Sequence, residues 1–202
     1  MTDFDRPYWE AHWRHASTGP AEPNPHLVRE TATLTPGTAL DAGCGAGHEA
    51  RWLASRGWAV TAVDISAAAL ARTAASAAAL TRDTSSPAAL ARDTAAQDVE
   101  WVQADLTTWS PGRSFDLVVT HYAHPAMPQL DFYDRISRWV APGGTLLVVA
   151  HQHGEASATP AGVTARLDAA RWTIGTAETS VRTFGTATLH DVVVRATRRG
   201  DA

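Results

Sequence analysis

The chain reads as an α/β protein: a doubly wound, mostly parallel sheet closed by a C-terminal antiparallel hairpin. Three observations predict this. Short apolar runs alternate with helix-compatible segments. A glycine cluster follows the first run directly. The last two strand-like runs are joined only by "GTAT", too short for the helical crossover that a parallel pair needs.

The parallel strands are read at Thr38–Ala42, Ala59–Val63, Glu100–Ala104, Phe115–Thr120 and Thr145–Ala150. Each is short enough to be a buried strand. Helices are expected at Glu49–Arg56, from Ala67 onward, and over Pro128–Val140, where Leu130, Tyr133, Ile136 and Val140 recur at helical spacing. Such alternation implies right-handed crossovers and two helical layers around the sheet. Thr159-Pro160 reads as an N-cap and first helical residue of a short helix to about Ala170. "RWTIGTAETSVRTF" and "LHDVVVRATRR" then form the hairpin, giving seven strands in all.

At 202 residues the chain is expected to be a single domain with a core that needs neither disulfide nor metal. Residues 1–37 read as an N-terminal helical cap, in which Tyr8, Trp9, His12, Trp13 and Ala16 share helical spacing. Residues 67–97 contain "AALARTAAS", "AALTRDTSS" and "AALARDTAA", a repeat of ten. Ten residues turn a helix by about 1000°, so successive leucines slip by roughly 80° and share no stripe. The repeat therefore reads as an expanded surface segment of two helices, about 67–81 and 87–96, restarting at Ser86-Pro87.

The net charge of −4 offers no electrostatic footprint for nucleic acid or an anionic membrane. All 17 basic residues are arginine, which excludes a lysine Schiff base or a lysine-headed phosphate loop. A lone cysteine, a charged N-terminal stretch and the absence of an apolar run of about 20 residues make a cytoplasmic protein the expectation. A monomer or homodimer is expected.

Gly43, Gly45 and Gly47 form G-x-G-x-G between a strand and a helix. The dinucleotide fingerprint wants a third glycine at 48, where His48 stands, so a nicotinamide or flavin pyrophosphate site is disfavoured. Asp64 ends the second strand, placed for a ribose diol, and Asp105 ends the third, suited to an adenine amino group. Each acid alone also fits a turn or helix cap. Three such features at successive strand ends point to an adenosine-containing cofactor.

Together "LDAGCGAG", "VTAVDIS", "ADLTTW", "FDLVVTHYAHP" and "APGGTLLVVAH" resemble the motif series of class I S-adenosylmethionine-dependent methyltransferases over residues 38–151. The short chain and "YWEAHW" are similar, less specifically, to tellurite-resistance and thiopurine-type methyltransferases. The resemblance implies a Rossmann-like sheet of order 3-2-1-4-5-7-6, with strand 7 antiparallel. It implies that Asp41 and the Gly43–Gly47 backbone, Cys44 included, face the methionine portion of S-adenosylmethionine. Asp64 would bind ribose, Ile65 would pack on adenine, and Asp105 with the Leu106 amide would read the adenine edge.

Ligands of open parallel sheets sit beyond the carboxyl ends of the strands. "HYAHP" and "HQHG" leave two such ends, so His121, His124, His151 and His153 are expected near the methyl group. They fit a general base, a zinc site or a hydrogen-bonded pocket wall. The catalytic expectation falls on His121 and His124, with His121 also against the cofactor and no metal assigned. Tyr122, His151 and His153 would line the acceptor pocket, and Tyr8, Trp9 and Trp13 would close over it. "HYAHP" replaces the Asn/Asp-Pro-Pro-Tyr of base-modifying DNA enzymes, and no basic groove is apparent. The expected activity is methyl transfer to a small molecule through O, N or S. The alternatives are detoxification of a soft sulfur, selenium or tellurium acceptor, or a non-catalytic cofactor-binding subunit.

Overall fold

The computed structural model of the chain describes residues 4–16, 22–80, 99–152, 158–184 and 187–200. Its strands are β1 (Thr38–Ala42), β2 (Ala59–Asp64), β3 (Val99–Gln103), β4 (Phe115–His121), β5 (Val140–His151), β6 (Trp172–Phe184) and β7 (Ala187–Arg198). They form one sheet in the order β3-β2-β1-β4-β5-β7-β6, as the resemblance implies. β1 through β5 pair in parallel, and β7 runs antiparallel to both β5 and β6.

The helices are α1 (Arg6–His15), α2 (Pro25–Thr31), α3 (His48–Ser55), α4 (Ala67–Leu80), α5 (Gln129–Ser137) and α6 (Pro160–Thr164). Buried strands of this kind are apolar on both faces, because helices cover both. On one face Leu40, Val118, Leu146 and Val194 pack against Phe132, Ile136 and Val163 of α5 and α6. On the other, Ala39, Leu117, Val119, Leu147, Val149 and Val193 pack against Leu27 of α2 and Ala50 and Leu53 of α3.

Side chains alternate with period two along a strand. The second face therefore continues into Asp41, His121, His151 and Asp191 where those strands meet the glycine loop. A polar row thus replaces the aliphatic one at the carboxyl end of the sheet.

The largest departures from expectation are at the ends of α5 and α6 and at the start of β5. Helix α5 stops at Ser137, and Val140 pairs with Phe115 in the sheet instead. Val140 faces the same core as Tyr133 and Ile136, so spacing alone cannot separate a last helical turn from a first strand residue. The register shifts between Phe115 and Leu117, where Gly144 lies so close to the chain that a Cβ would sit 3.0 Å from the Phe115 and Asp116 carbonyls. Helix α6 ends at Thr164 rather than near Ala170. Its successors form i−3 turns, and Asp168 then caps the amide of Ala170 at 2.9 Å.

Thr159 caps α6 as read, accepting from Gly162 N at 3.0 Å. Helix α4 starts at Ala67 behind Ser66, whose Oγ accepts from Ala69 N at 3.1 Å. The expected restart at Ser86-Pro87 and the helix over 87–96 lie outside the described residues. No helix among the described residues is long and apolar enough to cross a membrane.

Candidate functional site

The loop after β1 is a left-handed turn carried by its glycines. Gly43, Gly45 and Gly47 have φ of +86°, +51° and +73°, a region that side chains avoid. There is also no room for one. A Cβ at Gly43 would lie 2.4 Å from Ala123 Cβ, and at Gly47 2.4 Å from the Trp101 ring. The turn is fastened by Gly43 N and Cys44 N to the Val63 carbonyl, and by Gly45 N to Asp64 Oδ2 at 2.8 Å. Asp64 Oδ1 accepts from Ser66 N at 2.9 Å.

Three acids gather beneath this turn. Asp41 is 1% exposed, and its Oδ2 has no hydrogen-bond partner among the described residues. Burial pushes its carboxyl well above the usual range, and the charges of Glu49 and Asp64 push the same way. Glu49 and Asp64 are also raised by burial, which the amides they accept from only partly offset. Buried Cys44 has its thiol pushed up by burial, then by Asp41 and Asp64, which makes it a poor nucleophile. Buried carboxylates with raised pKa values favour a cation beside them.

The glycine turn, the three acids and the ends of β3, β4 and β5 enclose a cavity of about 410 Å³. Asp105 lines it while accepting from Thr107 N and Oγ1 at 2.8 and 2.7 Å, so it also caps its own turn. Ile65, Leu106, His121, Tyr122, His124 and His151 line it too. Helix α1 forms the outer wall. Trp13 lies over Gly45, Trp9 Nε1 donates to the His124 carbonyl at 3.0 Å, and Phe4 stacks on the His124 ring at 5.3 Å. Tyr8 is exposed and does not line the cavity. His153 lies outside the described residues.

The two histidines expected to be catalytic differ. His121 is almost fully buried, and neither ring nitrogen has a hydrogen-bond partner among the described residues. Burial takes its pKa down to about 3, with His26 adding to the drop and Asp191 opposing it. His124 stacks its ring on Phe4, which also stacks on Trp9, and its carbonyl accepts from Trp9 Nε1.

Behind the cavity lies a buried network around Asp191, whose side chain is 0% exposed. Its Oδ2 accepts from Arg182 Nε at 2.5 Å and from Tyr122 Oη at 3.0 Å. Its Oδ1 lies 3.1 Å from His151 Nδ1, and His26 Nε2 is 3.3 Å from Oδ2. Tyr122 Oη also accepts from Asn24 Nδ2 and Arg182 NH2, each at 2.8 Å. The sequence reading missed Asn24, His26, Arg182 and Asp191. One signal was present: Asp191 is an acid inside the apolar run "LHDVVVRA" of a central strand.

A family model described as a methyltransferase domain matches residues 39–144, more than half of the chain. The chain belongs to that family.

This methyltransferase domain is 29% identical over 161 residues to the probable thiol methyltransferase 2 of Arabidopsis thaliana, a match covering 75% of this chain and 65% of the relative. It is 31% identical over 128 residues to the trans-aconitate 2-methyltransferase of Streptomyces avermitilis, covering 60% and 40% respectively. The matches thus span less than two thirds of either curated relative's length. Among solved structures, the N-methyltransferase NodS of Bradyrhizobium japonicum in complex with S-adenosyl-L-homocysteine superposes with a TM-score of 0.67. It is 16% identical, covering 96% of this chain and 98% of that one, which shows a common fold.

The residues present fit the family's cofactor. S-adenosylmethionine carries a sulfonium and an ammonium, and the orphaned Asp41 oxygen among three raised carboxyls is a site for a cation. Among the described residues lining the cavity there is no arginine to pair with Asp41.

Proposed function

We propose that this chain transfers the methyl group of S-adenosylmethionine to a small, flat, uncharged acceptor bearing a thiol, phenol or ring N–H. The observation that carries this reading is the make-up of the cavity wall. It combines the acids Asp41, Glu49 and Asp64 with the aromatic side chains of Phe4, Trp9, Trp13 and Phe132, and has no arginine among the described lining.

S-adenosylmethionine, when bound, supplies a methyl group already activated by its sulfonium. The chain's own residues then bind, align and exclude water. Asp41 and the Gly43–Gly47 turn would hold the methionine portion. The two Asp64 oxygens, each accepting one amide, retain further lone pairs for a ribose diol. Ile65 and Leu106 offer apolar surface for adenine, with Asp105 at its edge. Trp9 and Trp13 close the outer side, and rigid alignment of this kind contributes several kcal/mol of barrier reduction.

A carboxylate-rich acceptor such as trans-aconitate calls for arginine forks, which this lining lacks. A thiol suits the apolar wall, and the named thiol methyltransferase relative supports sulfur as an acceptor atom. Incubation with S-adenosylmethionine and a panel of thiophenol, 4-nitrophenol, benzimidazole, sodium sulfide and trans-aconitate tests the reading by mass spectrometry. Methylated thiophenol, phenol or benzimidazole is the expected product. Preferential methylation of trans-aconitate would overturn the uncharged-acceptor assignment.

A further inference from the structure

We infer that the ring of His121, buried in the cavity wall with both nitrogens unpartnered among the described residues, holds an azole acceptor by its N–H. An azole here means a flat ring that carries one N–H and one pyridine-like nitrogen. The inference rests on the methyl-transfer reading and names the class of acceptor within it.

His121 is the last residue of β4, two beyond Val119 on the same sheet face. Its backbone is held on both sides. It pairs with Val149 of β5, and Thr120 Oγ1 donates to the Ala42 carbonyl at 2.8 Å. Tyr122 N then donates to the Val149 carbonyl at 2.9 Å. Tyr122 is the one non-glycine among the described residues in the left-handed region, with φ of 55°. Strain of this kind persists only where the surroundings impose it. Here the hydroxyl of Tyr122 is tied to Asn24, Arg182 and Asp191 at once. The wall that carries His121 is fixed before any ligand enters.

The ring is fixed but not satisfied. It is 9% exposed, and neither Nδ1 nor Nε2 meets a hydrogen-bond partner among the described residues. Asp191, whose charge reaches it, already accepts from Arg182 and Tyr122. Buried polar groups left unpartnered are costly, so a ligand that fills the cavity gains by supplying the partner.

The charge of the ring narrows what that partner is. Burial, with His26 adding to it and Asp191 opposing, takes the pKa down to about 3. At neutral pH the ring is uncharged and offers one N–H and one lone pair. It accepts a hydrogen bond without taking the proton. The acceptor that fits such a ring keeps its donor on one atom and its nucleophile on another, as an azole does. The aromatic side chains of Phe4, Trp9, Trp13 and Phe132 suit a flat ring. The acids Asp41, Glu49 and Asp64 suit the cation that methylation makes. A thiol is a weak donor and gains little from His121.

The step balances without a base. The pyridine-like nitrogen bonds to the methyl carbon as the C–S bond breaks, and the electron pair of that bond stays on sulfur. The sulfonium charge thus passes to the azole ring, which loses its N–H proton to water on release.

The test compares benzimidazole with 1-methylbenzimidazole, which lacks the N–H, by calorimetry on protein saturated with S-adenosylhomocysteine. Benzimidazole is expected to bind about tenfold more tightly, the worth of one hydrogen bond to a buried group. In His121→Phe, which keeps a flat ring without nitrogens, the two should bind alike. A preference caused by the bulk of the extra methyl, or a merely structural role for His121, would leave the ratio unchanged in that variant. Where His121→Phe does not melt cooperatively, His121→Leu takes its place, and if neither folds the wild-type ratio decides alone. Absence of benzimidazole binding, equal binding of the two ligands to the wild-type protein, or an unchanged ratio in the folded variant overturns the inference. So does faster methylation of thiophenol than of benzimidazole by the wild-type protein with S-adenosylmethionine. Failure of the wild-type protein to bind S-adenosylhomocysteine overturns the methyl-transfer reading beneath it.

Discussion

The amide of Gly45 donates to Asp64 Oδ2 across 2.8 Å, so the turn after β1 is fastened to the acid that ends β2. Asp64 thus does two things at once. It fixes the loop, and in the proposed reading its remaining lone pairs hold the ribose.

Replacing it separates those roles. Asp64→Ala should cost at least tenfold in S-adenosylhomocysteine affinity, since hydrogen bonds to a charged group are worth roughly 1.5–3 kcal/mol each. Asp64→Asn keeps one acceptor for Gly45 and should preserve more of the thermal stability than of the affinity. Calorimetry and melting on both variants check this. Affinity unchanged in a folded Asp64→Ala variant would remove the residue from the site.

Gly47 makes a sharper steric claim. Its φ is +73°, and an added Cβ would meet the Trp101 ring at 2.4 Å and Thr73 Cγ2 at 3.0 Å. Gly47→Ala should destabilise by about 1–3 kcal/mol, the sum of left-handed strain and a displaced indole. Urea unfolding measures it. A loss below a few tenths of a kcal/mol would mean that the turn relaxes without the glycine.

His121 gives a pH signature in stability. Its folded pKa of about 3 lies below the ordinary histidine value, so the unfolded chain binds a proton that the folded chain refuses. Stability from this group is present above about 6.5 and is lost as pH falls from there toward about 3. The slope is at most about 1.4 kcal/mol per pH unit. His121→Leu should flatten the acid limb of the stability profile relative to the wild-type chain. Parallel acid limbs for the two proteins would show that the ring is not held neutral.

Much of this was legible in the chain, for identifiable reasons. β1 was read to the residue because Gly37 and Gly43 bracket an apolar run. The hairpin followed from a connection too short to cross over. The glycine turn beside the cavity is legible because Gly43, Gly45 and Gly47 are local signals with one steric meaning. The Asp191 network was not. It joins Asn24, Tyr122, His151, Arg182 and Asp191, contributed by distant segments, and no spacing along the chain encodes that meeting. Nor does spacing encode the burial of His121, which takes its pKa down to about 3.

Helix α1 carries the last prediction. None of its residues is buried, so it contributes little to the core, yet Trp9, His12 and Trp13 line the cavity. Glu10 accepts from the amides of Ala67 and Ala68 at 2.7 and 3.1 Å, an anion at the N-terminus of α4. Its neighbour Trp9 donates from Nε1 to the His124 carbonyl at 3.0 Å, and Arg72 donates to the carbonyl of the C-cap Ala16 at 2.6 Å. A helix held by polar contacts rather than by buried area opens at low cost to the rest of the fold. Trp9→Phe removes one fastening and keeps an aromatic wall, while Glu10→Gln weakens another by removing its charge. Each should raise the dissociation rate of S-adenosylhomocysteine by about three- to tenfold, matching the 0.5–1.5 kcal/mol of an ordinary hydrogen bond. Thermal melting of the free protein should move by only a degree or two. Stopped-flow release, followed by tryptophan fluorescence for Glu10→Gln and by cofactor competition for Trp9→Phe, measures the rates. Release as slow as wild type in both variants would show that α1 does not close the site. A large fall in the melting temperature of the free protein would instead make it a structural part of the fold.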